Sequence, residues 1–398
     1  MVDKLGAQVI EIFKQKWLHL PHLLSKAPGR VNIIGEHTDY TGGYVLPVAI
    51  NRSIVLVARA SASPIIRGYS LNYAQEASCL VGDFSRQHHP RWFWYVLGVL
   101  SELQEIGYRT TGFDFCVGGD IPMGSGLASS AALEMAVISS LEALNKFKLS
   151  DKQAALLCQR AENNFIGVKC GIMDMLVSRI GIKNHAIFID CSTLTSCSIG
   201  MYLPGYSWLV IDSGKRRGLV DSEYNKRRSE CEEALRVARV EFPGRELKNL
   251  VDITTRDLPI LRKRMSQIVY RRMSHVVTEN ARVLEMIQAL KHRDINTIGK
   301  LLYASHQSLR NDFEVSCEEL DNLIDIVSNI GGVCGSRLTG AGFGGCIILL
   351  TRNDAINEIR RAIKEKHLAT DVTRITATIF PIKISNGVQV IITDQQQT

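Results

Sequence analysis

Between residues 28 and 50 the chain reads Pro-Gly-Arg-Val-Asn-Ile-Ile-Gly-Glu-His-Thr-Asp-Tyr-Thr-Gly-Gly-Tyr-Val-Leu-Pro-Val-Ala-Ile, a charged turn held between apolar runs. Glycines at 29, 35, 42 and 43 are interspersed with Arg30, Glu36, His37 and Asp39, so the backbone can bend tightly while ionisable groups converge on one small volume. Whatever this chain folds into must present that turn between buried strands. On the residues alone it suits a polyol-binding turn, or else a solvated hairpin tip, since loops are commonly polar.

A length of 398 residues exceeds one ordinary core and implies two domains. With 45% hydrophobic and 22% charged residues the composition is that of a globular chain, and no apolar run reaches the roughly 18 to 20 residues of a membrane helix. A soluble, cytoplasmic protein without a membrane partner is expected. Met1 to Leu20 mixes lysines and acids with its apolar positions, which predicts an amphipathic helix retained in the mature chain. The cysteines lack the two-residue spacing of zinc or redox pairs and read as reduced core thiols. A net charge of +7 arises from clusters such as Lys215 to Arg217, Lys226 to Arg228 and Arg262 to Arg264. With no aromatic interleaving or nucleic-acid motif beside them, anionic small substrates or plain solvation account for them, and no nucleic-acid partner is expected.

Period-two apolar patterning predicts strands over 44–60, 64–69 and 112–118. A 3.6-residue period predicts helices over 133–144 and 150–165, the second opened by a Ser150/Gln153 capping box. After Cys191 the pattern loosens into Ser and Thr, and Pro204-Gly205 precedes the strand-like Trp208 to Ile211, which places a domain boundary near 205 and gives domains of 1–205 and 206–398. The second half alternates helices (about 221–240, 265–292, 295–312 and 317–329) with strands at 346–351 and 375–384. Asn386-Gly387 between two alternating runs predicts a terminal hairpin.

Three further stretches carry chemistry. Gly119 to Ala132 reads Gly-Asp-Ile-Pro-Met-Gly-Ser-Gly-Leu-Ala-Ser-Ser-Ala-Ala and runs from a strand into a helix, so Gly124, Ser125, Gly126, Leu127, Ala128, Ser129 and Ser130 could turn backbone N–H groups and a helix dipole toward phosphates, or could be a plain turn and cap. It lacks the Gly-Lys-Ser/Thr ending of a Walker loop. Residues 167–181, Gly-Val-Lys-Cys-Gly-Ile-Met-Asp-Met-Leu-Val-Ser-Arg-Ile-Gly, put Asp174 at a helix start, where an isolated aspartate is ordinarily a cap. Gly340-Ala-Gly342-Phe-Gly344-Gly345 satisfies G-x-G-x-x-G, but it is expected to follow a helix and it precedes a strand, which is the wrong context for dinucleotide binding.

Together these stretches resemble the three motifs of the galactokinases, within the small-molecule kinases that include homoserine, mevalonate and phosphomevalonate kinases. The resemblance covers nearly the whole chain, including Glu-Tyr-Asn-Lys-Arg-Arg around Tyr224 and the stretches 275–280 and 305–320. It implies an α+β fold of two domains: an N-terminal domain like the second domain of ribosomal protein S5 and a ferredoxin-like C-terminal domain, with the site between them. It implies ATP and galactose as substrates, C1 of galactose as the position phosphorylated, and magnesium as the metal. By the same resemblance Asp174 and Arg30 are catalytic, and Glu36, His37, Thr38, Asp39, Gly171, Asp174 and Tyr224 bind sugar. The 124–130 loop binds ATP, Ser130 and Glu162 hold the metal, and the 340–345 motif supports the phosphate loop. Two rivals stay open: an N-acetylgalactosamine kinase, against which Cys170-Gly-Ile-Met-Asp174 argues, and a galactose- and ATP-binding sensor without turnover. The chain departs from the family pattern at Ala128, where serine is usual, and at Met175, where glutamine is usual.

Overall fold

The computed structural model describes residues 2–216, 220–369 and 377–393. A six-stranded sheet forms the centre of the first half, in the order Gln389–Ile392, Leu23–Asn32, Pro47–Ala60, Phe113–Gly119, Ile65–Ser70, Gln75–Leu80. All neighbours are antiparallel except Ile65–Ser70 with Phe113–Gly119. Phe113, Phe115 and Val117 alternate as expected and face a layer of helices that includes Arg91–Glu105 and Ser129–Leu144. The opposite face is buried too. Helix Lys4–Trp17, capped by the Asp3 carboxylate, lays Val9 and Phe13 on Leu24, Val55, Val57 and Cys116. Asp114, also on that strand, is paired at both oxygens by Arg67 at 2.7 and 2.8 Å.

A second, antiparallel sheet has the order Val333–Thr339, Cys346–Arg352, Tyr206–Asp212, Thr378–Pro381. Its apolar residues Leu209, Ile211, Ile347 and Leu349 share a core with Met273, Val276 and Val277 of helix Gln267–His292 and with Leu320 and Leu323 of helix Glu318–Ser328. The mixture of helix and sheet in two layered units agrees with the α+β fold expected. Among the described residues no helix is long and apolar enough to cross a membrane.

Two local expectations are corrected, and one unpatterned stretch is ordered. Asn386-Gly387 does not turn a hairpin: Thr378–Pro381 pairs with Tyr206–Asp212, whereas Gln389–Ile392 pairs with Leu23–Asn32 in the other sheet. The hydrogen bonds a hairpin would close on itself go instead to the first half, from Gly387 N to Gly181 O, Val388 N to Ser178 O and Ser385 N to Ala49 O. The Ser/Thr-rich stretch after Cys191 is a strand, Thr195–Gly200, in a small sheet with Tyr44–Val45 and His185–Asp190; most of its residues are exposed, which is why its sequence lacks an apolar period. The Gly340 to Gly345 motif follows a strand rather than a helix and joins two antiparallel strands, so it still opens no helix.

The elements that position the site form as their residues dictate. Ser150 and Gln153 make the capping box of helix Asp151–Arg160. The helix then loosens into a π turn, Ala161–Ile166, which is closed by Gly167 in the left-handed region. Glu162 lies in that π turn. Helix Ser129–Leu144 begins at Ala128, whose φ of 60° is left-handed and whose side chain cannot cap, so the first N–H groups of the helix have no side-chain cap.

Candidate active site

Two connected depressions lie where the halves meet. The larger is lined by Gly124, Gly126, Ala128, Ser129, Ser130 and Glu162. Asn72, Tyr73, Trp92 and Tyr95 line it too. The smaller is lined by Glu36, His37, Asp39, Gly171, Tyr224 and Ala341, among others. Arg30 and Asp174 line both.

Arg30 extends from strand Leu23–Asn32 and meets Asp174, in the first turn of helix Met173–Ile180, through two parallel hydrogen bonds: Nε to Oδ1 and Nη2 to Oδ2, both 2.7 Å. Its remaining nitrogen, Nη1, donates to the Gly126 carbonyl of the phosphate loop. Burial works against the Arg30 charge, but the carboxylates of Asp174 and Glu36 outweigh it and hold its pKa above the ordinary value. The arginine is nearly sealed, at 6% side-chain exposure, while Asp174 keeps 28% and opens to the depressions.

In the small recess the carboxylate of Asp39 rests against Gly171, where any Cβ would overlap both of its oxygens. Burial, then the charges of Asp174 and Glu36, push the Asp39 carboxyl up to about 7. Glu36 is more committed than a free hydroxyl reader would be. Its Oε1 accepts from Gly340 N at 2.7 Å and Thr339 Oγ1 at 3.0 Å, its Oε2 accepts from Asn32 Nδ2 at 3.2 Å, and Arg337 Nη2 lies 3.0 Å from Oε1, off the hydrogen-bonding direction. One lone pair of Oε2 is left for a ligand. His37, at φ 62°, sets Nδ1 2.8 Å from Tyr40 Oη and Nε2 3.1 Å from Ala341 O. The Tyr224 ring stands 5.4 Å from that of His37 and 5.2 Å from that of Tyr40, and burial keeps the phenol protonated by raising its pKa well above the usual value.

Some expected residues sit elsewhere. Thr38 is buried inside the turn and does not line the recess; its hydroxyl lies within hydrogen-bonding reach of both Gly35 O and Tyr44 O, so it braces the turn. Ser125 and Leu127 are buried and do not line the cleft. The Ser125 hydroxyl donates to Pro122 O, and Leu127 contributes a carbonyl that accepts from Arg30 N at 3.1 Å. The 340–345 motif engages the sugar turn, through Gly340 N to Glu36 and Ala341 O to His37, as well as residue 215 through Gly345 N. Met175 is buried at 1% exposure in the core that packs the first half.

Other site residues went unread in the sequence. Arg216, in a basic cluster for which the sequence left anionic substrates and plain solvation both open, is held by Asp212 at 3.0 Å and lays its side chain over Gly124 of the phosphate loop, 3.3 Å from where a Cβ would stand. Glu134, one helical turn beyond Ser130, is wholly buried with neither carboxylate oxygen partnered; burial, then the charges of Glu162 and Asp174, raise its pKa well above the ordinary value. The aromatic run at 92–95 supplies Trp92 and Tyr95 to the lining of the cleft.

Residues 11–60 match the galactokinase galactose-binding signature, 94–181 the GHMP kinase N-terminal domain and 286–369 the GHMP kinase C-terminal domain. The galactokinase of Roseiflexus sp. (strain RS-1) is 39% identical over 378 residues, 95% of this chain and 95% of that protein. The chain belongs to the galactokinase family. Another member, the galactokinase of Thermotoga neapolitana, is 40% identical over 364 residues, covering 92% of this chain and 99% of its own. The crystal structure of Lactococcus lactis galactokinase complexed with galactose superposes with a TM-score of 0.92 at 31% identity, over 97% of this chain and 100% of that one. Methanococcus jannaschii mevalonate kinase, at 19% identity and a TM-score of 0.64 over 92% of this chain and 99% of its own, shares the fold.

Proposed function

We infer that the protein is a galactokinase, transferring the γ-phosphoryl group of ATP to the C1 hydroxyl of α-D-galactose and giving α-D-galactose 1-phosphate and ADP. The observation that carries this is the position of the Arg30–Asp174 pair, common to the small polar recess and the large cleft, so that groups bound in each meet at the pair.

In this reading galactose occupies the recess with its hydroxyls toward Asp39, the open lone pair of Glu36, His37 and Tyr224. Asp174 orients the C1 hydroxyl and takes its proton as the oxygen bonds to the γ-phosphorus and the bond to the β-phosphate oxygen breaks. Arg30, fixed by Asp174 and Gly126, places its charge beside the equatorial oxygens on which negative charge spreads. The uncapped N-terminus of helix Ser129–Leu144 and the backbone of Gly124 and Gly126 receive the phosphates, and Tyr73, Trp92 and Tyr95 offer flat apolar surface to the base.

The residues also fit a magnesium ion. Ser130 and Glu162 line the cleft with hard oxygen donors, and the orphaned Glu134 carboxyl below them adds polar capacity that no protein group satisfies. Ser130 and Glu162 would hold the ion, which when bound neutralises charge on the β- and γ-phosphates. A cytoplasmic setting suits ATP chemistry and buried thiols such as Cys79 and Cys158. No observation favours the non-catalytic alternative, because Arg30, Ser130, Glu162 and Asp174 all face the cleft. Asp174→Asn keeps the shape and one acceptor for Arg30 but removes the base; kcat should fall by about 10² or more. Near-normal turnover in that variant would remove Asp174 from the chemistry.

A further inference from the structure

The sugar turn has a second side, away from the recess, and that side lies on helix Gln267–His292 of the other half of the chain. His275, Glu279, Asn280 and Val283 stand at i, i+4, i+5 and i+8, on one face of the helix, and all four are buried. Each meets the turn at a different point. His275 Nε2 lies 3.0 Å from the Glu36 carbonyl, the Glu279 carboxylate accepts from Gly35 N at 3.0 Å, and Asn280 Oδ1 accepts from Tyr44 N at 2.8 Å. Val283 packs where a Cβ on Gly35 would stand, 2.9 Å away, and a Cβ on Gly43 would overlap Asn280 Oδ1. The glycines that let the turn bend therefore also let this helix approach it.

The protonation states are set by the same contacts. Burial pushes His275 down to about 3, so its ring is neutral. The Glu36 carbonyl can only accept, so Nε2 carries the proton, and Nδ1 lies 2.9 Å from the Ser308 hydroxyl, whose single hydrogen is shared with the Asp312 carboxylate 3.0 Å away. Burial opposes the charge of Glu279, but Arg282, with Nε 2.7 Å from Oε2, Arg337 and the Ser305 hydroxyl are among the groups that together outweigh it and hold the carboxyl down to about 2. That charge strengthens its bonds to Gly35 N and to the Ser305 hydroxyl at 2.7 Å. A ring column continues the contact forward: His275 to Phe313 at 4.6 Å, Phe313 to His37 at 4.7 Å.

We propose that His275, Glu279 and Asn280 are positioning residues for the sugar, clamping the backbone of residues 35–44 from behind so that Glu36, His37 and Asp39 hold one arrangement before galactose arrives. None of the three lines the recess, yet they set its affinity. The clamp grips the sugar turn and leaves the phosphate loop alone, so its loss is felt by galactose and not by nucleotide. This rests on galactose being the ligand of the recess.

The test is calorimetric binding of galactose to the whole chain, with KM for galactose and for ATP measured in parallel. His275→Phe keeps a ring against Phe313 and deletes both hydrogen bonds. It should weaken galactose binding about tenfold or more and leave KM for ATP within about twofold. His275→Gln, whose amide can donate to the Glu36 carbonyl, should recover most of the loss. Should His275→Phe fail to fold, Asn280→Ala deletes a single bond in a good helix former and should weaken galactose binding severalfold with the same indifference to ATP. Galactose dissociation constants equal to wild type in these variants, or galactose and ATP weakened together, would overturn the proposal. Absence of galactose binding by the wild type would instead refute the function on which it rests.

Discussion

The contact between Asp39 and Gly171 offers a clean perturbation, because the two belong to segments that meet only in the folded site. Gly171 is not at positive φ, so alanine can adopt its backbone, and the one consequence of Gly171→Ala is a methyl group where both oxygens of the Asp39 carboxylate now lie. Overpacking of this kind costs roughly 1–3 kcal/mol if the site resists. If the carboxylate yields, the substrate loses one charged hydrogen bond, worth about 1.5–3 kcal/mol, or about ten- to a hundredfold in kcat/KM for galactose. A coupled ADP-release assay at pH 8, above the raised Asp39 value of about 7, should show that loss with KM for ATP within about twofold of wild type. The double variant Asp39→Ala/Gly171→Ala should be no worse than Asp39→Ala alone, since both changes act through one carboxylate. Additive losses, or an unchanged galactose KM in Gly171→Ala, would refute the reasoning.

Asp39 also links the ligand-free protein to pH. A carboxyl raised on folding from 3.8 to about 7 contributes stability that is fully present below the unfolded value and lost as pH rises through the folded one. Asp39→Asn should therefore raise the melting temperature more at pH 8 than at pH 4.5 in thermal melts without ligand; an equal gain at both would contradict the assignment. Met175, buried in the core beside Asp174, supplies packing where the family carries a glutamine amide. Met175→Gln should change kcat only a few-fold, at most about 1 kcal/mol in the barrier, and steady-state kinetics showing a gain of orders of magnitude would mean that the natural protein is a sensor.

The sequence is most legible where one short segment carries a whole structural decision. The Ser150/Gln153 box, the glycine-rich entry to helix Ser129–Leu144 and the charged turn at 30–39 all form where their residues predict. Part of what stays hidden depends on partners far along the chain, and part on which way a side chain turns. Glu36 reads as an open sugar ligand until Gly340 and Thr339, some three hundred residues away, are seen to occupy the lone pairs of its Oε1. Thr38 looks like another polar ligand because a hydroxyl that braces its own turn and one that faces a substrate have the same sequence. Arg216 is as readable as surface charge as it is as a site residue, because the sequence does not say that its ion pair with Asp212, four residues earlier, lies beside the distant Gly124. Asn386-Gly387 has hairpin chemistry, but its backbone groups find better-placed partners at 49, 178 and 181 than in each other. The local propensity was real and tertiary packing overrode it.

The central claim is that the recess reads the hydroxyls of galactose for transfer at the Arg30–Asp174 pair, and the measurement that bears on it most directly is sugar-dependent ADP release with the product position identified by NMR. With Mg-ATP, galactose should be phosphorylated at C1, and glucose, which mismatches a buried polar site at one hydroxyl, should react with kcat/KM lower by about a thousandfold or more. Comparable kcat/KM for the two sugars, or phosphate carried anywhere but C1, would contradict the account.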